Sequence, residues 1–420
     1  MIRHIVTTAI GKAVRGGMRL RGGGSALPGL VVEKIDSGFI PRALQDLPYG
    51  VVVVSGTNGK TTTTKIVVEL LEATGLKVFT NRTGSNFSRG VAAALLGEVN
   101  QRGKLDADIA VLELDEAWAV KFVQQVQPRY SLLLNVMRDQ LDRFGEIDTA
   151  AGFLEKIAAA TTERVVLNRD DPRVFRIHEK TSAAATYFGL TTELLRLMPT
   201  DDSLKTGDAV ANESVPAEVI LTAVAEQSAE FLIDSTRHRA EVALSGVYNL
   251  LNAAAALALV RTIVPEAPVP VLLEALSKVK PAFGRGETIT YNGTSIDLLL
   301  VKNPSGFRLS LLSFGKRQRQ TMIAINDNYA DGRDMSWLWD VDFSVLEDVS
   351  VVSGVRAYDM ALRLGYDEVA VGIIEQDLAK ALDEFLAHEP TEPKQIFCSY
   401  TAMTTLRRLL SEKTDVEDIS

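Results

Sequence analysis

Four consecutive valines, Val51–Val54, run straight into Ser55-Gly56-Thr57-Asn58-Gly59-Lys60-Thr61-Thr62, and from Lys60 to Ala73 apolar residues recur on one helical face at Ile66, Val67, Leu70 and Leu71. A β-branched run this short and this apolar predicts a strand buried on both faces. A helix leaving such a strand through a glycine-bearing loop aims its first amide N–H groups, which carry partial positive charge, over the strand's end. Gly56 and Gly59 let the backbone close on phosphate oxygens. Lys60 can reach the β and γ oxygens, and Thr61 or Thr62 offers a hydroxyl to Mg²⁺. The longer form of this loop has a glycine five residues before Gly59, where this chain has Val54, so the match is to the shorter Gly-Thr-x-Gly-Lys-Thr form.

The same alternation continues down the chain. Lys77–Thr80, Ile109–Leu114, Tyr130–Val136 and Arg164–Leu167 read as strands, with helical patterns in most gaps, which predicts a parallel sheet covered on both faces. Leu190–Ser235 is polar and aperiodic, and reads as an insertion of unclear structure. Asn249–Ile263 returns as an Ala- and Leu-rich helix. A second alternating unit begins near Pro281 and the turn Gly284-Arg285-Gly286, with strands expected at Thr288–Tyr291, Ser295–Val301, Thr321–Asn326, Val349–Ser353, Glu368–Gly372 and Gln395–Ser399. A chain of 420 residues exceeds what one core usually serves. The division expected is a basic tail and short helix over 1–43, a nucleotide-binding domain over 44–280 and a second α/β domain over 281–420.

Composition removes several classes. A net charge of −9 argues against a general nucleic-acid binder. Cys398 is the single cysteine, so no internal disulfide can form, and its place in Gln395-Ile396-Phe397-Cys398 predicts an inert thiol in a buried strand. The four histidines, His4, His178, His238 and His388, stand far from one another and from Cys398, which gives no zinc-ligand spacing and no Cys/His nucleophile pair. The longest apolar run, Ala253–Val260, is far short of the roughly 20 residues a bilayer span needs. The N-terminus carries Arg3, Lys12, Arg15, Arg19 and Arg21 among apolar residues and reads as a solvated helix, with weak attraction to an anionic membrane as the sharper alternative.

Gly56-Thr57-Asn58-Gly59-Lys60-Thr61-Thr62 resembles the ATP loop of the Mur ligases and folylpolyglutamate synthetases. Four other segments carry the same resemblance: Glu113-Leu114-Asp115-Glu116 at a strand's end, Asn135 to Gly145, Leu167-Asn168-Arg169-Asp170-Asp171-Pro172, and Gly246-Val247-Tyr248-Asn249-Leu250-Leu251-Asn252. The resemblance implies an α/β fold with a Mur-ligase-like phosphate-loop ATPase domain on a parallel central sheet, followed by a Rossmann-like α/β domain. It also implies ATP and Mg²⁺ as cofactors, Glu113 with Thr61 at the metal, and Asn249 and Asn252 at the adenine. Asp115 or Glu116 alternatively caps the next helix, and Asn249 or Asn252 alternatively caps its own. Arg285 is a candidate ATP contact on domain closure, with an ordinary turn residue as the equal alternative. Gln140 departs from the histidine many Mur ligases have there. The stretch before Ser55 is also too short for the nucleotide-sugar domain of ligases acting on soluble precursors.

Asn326 to Asp340 follows an expected strand and is dense in acids and tryptophan, with Asp334 inside Asp331-Gly332-Arg333-Asp334. With Val301-Lys302-Asn303-Pro304-Ser305-Gly306 it resembles the MurT family, Mur-ligase-like subunits of the enzymes that make D-isoglutamine in lipid II. That resemblance implies ATP-dependent amidation of the D-Glu α-carboxylate through an acyl phosphate, with ammonia from a GatD-like glutaminase in a heterodimer. It places Asp334 as the carboxylate completing the partner's Cys-His pair, beside Lys60 and Glu113 as the catalytic residues of this chain. Lipid II would be met at the inner membrane face, by a cytoplasmic or peripheral protein. Many members insert a four-cysteine zinc ribbon; this chain has no cysteine between Leu190 and Ser235, so no zinc is expected. The alternatives are an amino-acid-adding ligase without a glutaminase and a nucleotide-dependent scaffold.

Overall fold

The computed structural model describes residues 2–20, 27–81, 88–137, 147–198, 211–225, 227–244, 246–281, 285–315 and 319–416. Strands β1 (Val51–Ser55), β2 (Val78–Thr80), β3 (Ile109–Glu113), β4 (Tyr130–Leu133), β5 (Arg164–Asn168), β6 (Ala184–Leu190), β7 (Val219–Val224), β8 (Ser228–Ile233) and β9 (Thr236–Glu241) form one sheet in the order β2-β3-β1-β4-β5-β6-β7-β8-β9. Pairing is parallel from β2 to β7 and antiparallel from β7 to β9. The valine run does what its composition requires. Val52 and Val54 point into one core with Ile66, Leu70 and the helix Val247–Ile263, while Val51 and Val53 point into the other, with Leu95, Ile157 and Phe39. Helix Val247–Ile263 is buried almost all round, and its alanines let it lie close against its neighbours.

The second sheet holds β10 (Arg285–Tyr291), β11 (Thr294–Leu300), β12 (Gln320–Ala324), β13 (Asp348–Ser353), β14 (Ala370–Glu375) and β15 (Lys394–Cys398) in the order β10-β11-β15-β12-β13-β14. β10 pairs antiparallel with β11, and the rest are parallel. Cys398 is fully buried in β15, and burial pushes its thiol far up, which leaves it inert.

Four expectations are corrected. Leu190–Ser235, read as an insertion of unclear structure, holds β7 and β8 among its described residues, and they extend the first sheet as a meander. Its polarity reflects strands with one less buried face, as the alternating burial of β7 and β8 shows. Arg285 lies at the start of β10 rather than in a turn, with a bulge between Arg285 and Glu287 and Gly286 at φ +84°. β4 ends at Leu133 rather than Val136, because Leu134–Met137 turn to hold the neighbouring loop.

The fourth concerns the N-terminus. Helix Ile2–Leu20 is docked on one face rather than solvated all round: Thr7 and Thr8 are buried, the Thr7 hydroxyl donates to Asp36 at 3.3 Å, and Lys12 donates to the Val99 carbonyl at 2.5 Å. Behind it, helix Leu27–Ile35 crosses helix Ser88–Glu98 so closely that a Cβ on Gly29 would lie 1.8 Å from the Arg89 carbonyl oxygen. Gly29→Ala must push backbone from backbone. Destabilisation of about 1–3 kcal/mol is expected in urea titrations, with the phosphate loop's nucleotide affinity retained.

Candidate active site

The first sheet reverses its winding at β1: the crossovers from β1 to β2 and β3 run one way, and β4 and β5 lie on the other side. Ligands of open α/β sheets bind in the crevice beyond the carboxyl ends of strands at such a point. The loop Ser55–Gly59 leaves β1 there, Glu113 ends β3 there and Asn135 follows β4 there. Gly56 and Gly59 have φ of +134° and +90°, a region that only glycine enters freely. The loop is clamped from the β4 side. Thr57 N–H donates to the Asn135 carbonyl at 3.1 Å, Asn58 N–H to Asn135 Oδ1 at 2.9 Å, and Asn135 Nδ2 to the Asn58 carbonyl at 3.0 Å. Asn135 thereby fixes the peptide units that precede the helix N-terminus.

Lys60 is 6% exposed and Glu116 5%, and they pair at 3.3 Å, while Lys60 Nζ also donates to the Gly56 carbonyl at 2.5 Å. Glu116 is thus a counter-ion of the loop lysine rather than a cap. Asp115 occupies the N-cap position of the helix Glu116–Val123 but makes no capping hydrogen bond. Its Oδ1 is buried without a hydrogen-bond partner, and burial pushes its carboxyl up against the pull of Lys60. Thr61 Oγ1 donates to Glu113 Oε1 at 2.7 Å, and Glu113's main chain is held at both ends of its peptide by the Asn81 amide at 2.8 and 3.0 Å. A hydroxyl and a carboxylate oxygen so close together are hard oxygen donors of the kind Mg²⁺ takes, so the residues present fit that ion.

Asn249 and Asn252 are 1% and 7% exposed, one helical turn apart on Val247–Ile263. Asn252 stands against the loop, where a Cβ on Gly59 would lie 2.4 Å from its Oδ1. Thr57, Lys60, Glu113 and Asn249 line a crevice of about 110 Å³ whose far wall belongs to the second sheet's domain, through Leu300 and Lys302. Beside it, Asn135, Asn252, Leu195 and Met198 line a smaller hollow of about 50 Å³. A larger hollow of about 470 Å³ opens elsewhere between the two sheets, around Glu241, Asp297 and Arg319. It lacks the loop, Glu113 and the asparagines, so its size does not make it the reaction centre.

The domains touch at the loop itself. Asn303 Nδ2 donates to Asn58 Oδ1 at 3.1 Å, while Asn303 Oδ1 caps the helix Pro304–Phe314 by accepting from Gly306 N–H at 2.7 Å. The Asn168-Arg169-Asp170-Asp171 segment turns out to be scaffolding: Asp171 caps the helix Pro172–Arg176 and accepts from Val136 N–H at 2.8 Å, and Asp170 accepts from Leu190 and Asn212. Asn135, Glu116, Lys302 and Asn303 were not singled out as site residues from the sequence. Each lies in a segment that carried the resemblance, but only the sheet order shows that they meet at the loop. Gln140 and the rest of 138–146 lie outside the described residues, as do Gly284 and the Arg285 side chain.

Asp334 is far more open. It is exposed on the loop after β12, and its Oδ1 accepts from Ser336 N–H at 2.9 Å. The loop is fastened by Asp331, 2% exposed, which accepts from Thr401 N–H at 2.7 Å and Thr401 Oγ1 at 2.6 Å. Trp337 is buried, whereas Trp339 is 50% exposed and stacks edge-on against Tyr366 at 5.1 Å.

Residues 54–260 match the Mur ligase middle domain family, and residues 300–403 match the MurT ligase C-terminal family. The chain is 30% identical to the lipid II isoglutaminyl synthase (glutamine-hydrolyzing) subunit MurT of Streptococcus pneumoniae, over 93% of each chain. It is 29% identical to the subunit of the same description from Staphylococcus aureus strain COL, over 85% of this chain and 86% of that one. Among solved structures, MurF ligase from Thermotoga maritima in complex with ADP superposes with a TM-score of 0.68 at 20% identity, covering 90% of this chain and 83% of that one.

Gly59→Ala forces a side chain into the left-handed region and into Asn252. Mg-nucleotide affinity by calorimetry should fall at least about tenfold, a loss of about 1.4 kcal/mol, with the thermal midpoint lowered by no more than a few degrees.

Proposed function

The chain belongs to the MurT family of Mur-ligase-like subunits, and on that premise we propose that it amidates the D-Glu α-carboxylate of the lipid II stem peptide, using ATP and ammonia delivered by a glutaminase partner. It is an ATP-dependent carbon–nitrogen ligase of peptidoglycan synthesis, of the kind whose relatives are described as glutamine-hydrolyzing. The observation that carries the reading is the convergence of the glycine loop, Glu113 and the second domain's Lys302 on one crevice. Residues 44–280 are assigned to nucleotide binding and 281–420 to closing the site and meeting the partner.

A carboxylate is a poor electrophile because its leaving group would be oxide. In the proposed reaction a carboxylate oxygen attacks the γ-phosphorus of ATP, ADP leaves, and the acyl phosphate forms. Ammonia then attacks the carbonyl carbon, phosphate departs and the nitrogen loses a proton to give the amide. Gly56, Thr57, Asn58 and Gly59 are assigned to the phosphates: Asn135 holds the Thr57 and Asn58 amides and so sets the loop's shape, and the helix-start amides of Lys60, Thr61 and Thr62 face the phosphate oxygens. Lys60 neutralises charge on the transferred phosphoryl group, exchanging its contacts with the Gly56 and Thr57 carbonyls for phosphate oxygens. Mg²⁺ held by Thr61 and Glu113 would supply further charge neutralisation. Asn249 and Asn252 present amides to the base, and Arg285 is assigned to the nucleotide on closure. Lys302 stands across the crevice to receive the acyl phosphate's charge.

Ammonia has to come from elsewhere, because the lone thiol, Cys398, is buried and inert. The exposed Asp334 is the carboxylate offered to a GatD-like partner's Cys-His pair, fixing the imidazole tautomer and stabilising the imidazolium. Lipid II places the work at the inner membrane face, and no described helix is long and apolar enough to cross a membrane.

Purified chain with its glutaminase, lipid II, ATP and glutamine should give an amidated stem peptide by mass spectrometry; incorporation of an amino acid instead of nitrogen overturns the reading. Asp334→Asn should abolish glutamine-driven turnover and spare turnover with added ammonium, and loss of both removes its assignment. Lys60→Ala should lower both by about 100-fold or more.

A further inference from the structure

The helix Ile2–Leu20 turns one face into the protein and the other out of it. Thr7, Thr8 and Gly11 lie on the inner face, and a Cβ on Gly11 would stand 2.6 Å from Leu96 and 2.7 Å from Val32. So close a seat fixes which side looks outward. Among residues 6–18 the exposed ones are Val6, Ala9, Ile10, Ala13, Gly16 and Gly17, with Val6 at 49% and Ile10 at 38%. They recur at the spacing of a single helical face, so they form one continuous stripe. None of them has a polar side chain. Helices that face water are built otherwise: Leu378–Ala387 exposes Lys380, Asp383 and Glu384.

Charge in this part of the chain is as one-sided as the stripe. The first 32 residues hold five of the 45 Lys and Arg, namely Arg3, Lys12, Arg15, Arg19 and Arg21. They hold none of the 54 Asp and Glu, in a chain whose net charge is −9. Asp36, which accepts from the Thr7 hydroxyl, is already paired with Arg42 and is not a counter-ion for these cations. Lys12 and Arg15 are both partly exposed. An apolar outer stripe on a helix with cations and no acids is the combination that lies in the headgroup layer of an anionic bilayer.

We propose that this face of the helix Ile2–Leu20 rests on an anionic phospholipid surface, with Val6 and Ile10 entering the headgroup layer. The helix lies along the bilayer rather than across it, since no described helix is long and apolar enough to span one. Charge decides the occupant. A second copy packed on the same face would set the same five cations against these five, whereas anionic lipid supplies the missing counter-charge. Two aliphatic side chains of this size bury only a small area, so the attachment is weak, reversible and screened by salt. Its use rests on the proposed amidation: a lipid-linked stem peptide is met in two dimensions, and a weak hold on the membrane raises its local concentration.

The test uses the full-length chain with its glutaminase partner and vesicles of phosphatidylglycerol or of phosphatidylcholine. At low salt the protein should partition onto phosphatidylglycerol at least about tenfold more strongly than onto phosphatidylcholine, and about 0.5 M salt should remove the difference. Val6→Asp with Ile10→Asp should weaken that partition at least about tenfold, and so should Arg3→Ser with Arg19→Ser. Leu362→Asp, on an exposed helical position of the second domain, should leave it unchanged. Both double variants should amidate lipid II in neutral detergent as the parent does, and show a raised KM only when lipid II is presented in phosphatidylglycerol vesicles. Equal partition onto the two lipids, parent-like partition in both double variants, or an equal loss in Leu362→Asp overturns the assignment. A protein that self-associates and becomes monomeric in the Val6 and Ile10 variant also overturns it, by giving the stripe to a second copy. Anionic-lipid binding as described, without any amidation in detergent, would sink the proposed activity and leave the membrane face standing.

Discussion

A lysine ammonium held almost out of water sets the terms for the first domain. Removing such a charge from solvent costs several kcal/mol unless it is met by partners in good geometry. Lys60 is met from three sides: by Glu116 on the helix after β3, and by the Gly56 and Thr57 carbonyls of its own loop. The pair forms only if β3 lies beside β1 with its carboxyl end level with the loop, as the parallel register Val54 to Glu113 provides. The loop in turn takes its shape because Asn135, arriving from β4 on the other side, accepts from the Thr57 and Asn58 amides between the two glycines. Three neighbouring strands thus converge on one ammonium. The cost of orienting it is met during folding, so a phosphate that displaces the carbonyls finds the donor in place.

The second domain meets the same loop through an amide pair, Asn58 with Asn303. The crevice between them, about 110 Å³, is well below the roughly 300–1,000 Å³ of sites that bury small ligands. On the proposed reading, a nucleotide would enter by the domains parting there, and the neutral Asn58–Asn303 contact is a cheap one to exchange, worth about 1 kcal/mol. The buried Lys60–Glu116 pair, by contrast, lies wholly within the first domain and need not break for the site to open. Opening and preorganisation are assigned to different residues.

The divide between what could be read in advance and what could not follows the range of the interactions. The β1-loop-helix unit was legible because its signals are local: four valines, two glycines that need unusual φ, and a lysine at a fixed offset. The buried strands of the second domain were legible for the same reason, to within a residue or two in most cases. β7–β9 were missed because strands with one wet face carry half the apolar signal and lie in a polar stretch. Glu116's pairing with Lys60, 56 residues away, and Asn303's with Asn58, 245 away, have no sequence signature at all. Arg285 was read as a turn because glycines flank it; pairing with β11 absorbs Gly286 in a bulge instead.

The order of the second sheet bears on how two chemistries could be joined. β11, β15 and β12 are parallel neighbours, so the segments that leave them emerge at one edge. Lys302 follows β11, Thr401 follows β15, and the Asp334 loop follows β12, with Asp331 tying the last two together. Neighbouring strands are spaced by about 4.8 Å, so the roots of the Lys302 and Asp334 segments are about 10 Å apart across that edge. The nucleotide-side segment and the Asp334 loop therefore start from the same edge of one sheet, with only β15 between their strands. A returning strand inserted between β11 and β12 fixes this spacing while keeping the exposed carboxylate out of the nucleotide crevice, where its negative charge would oppose phosphate binding.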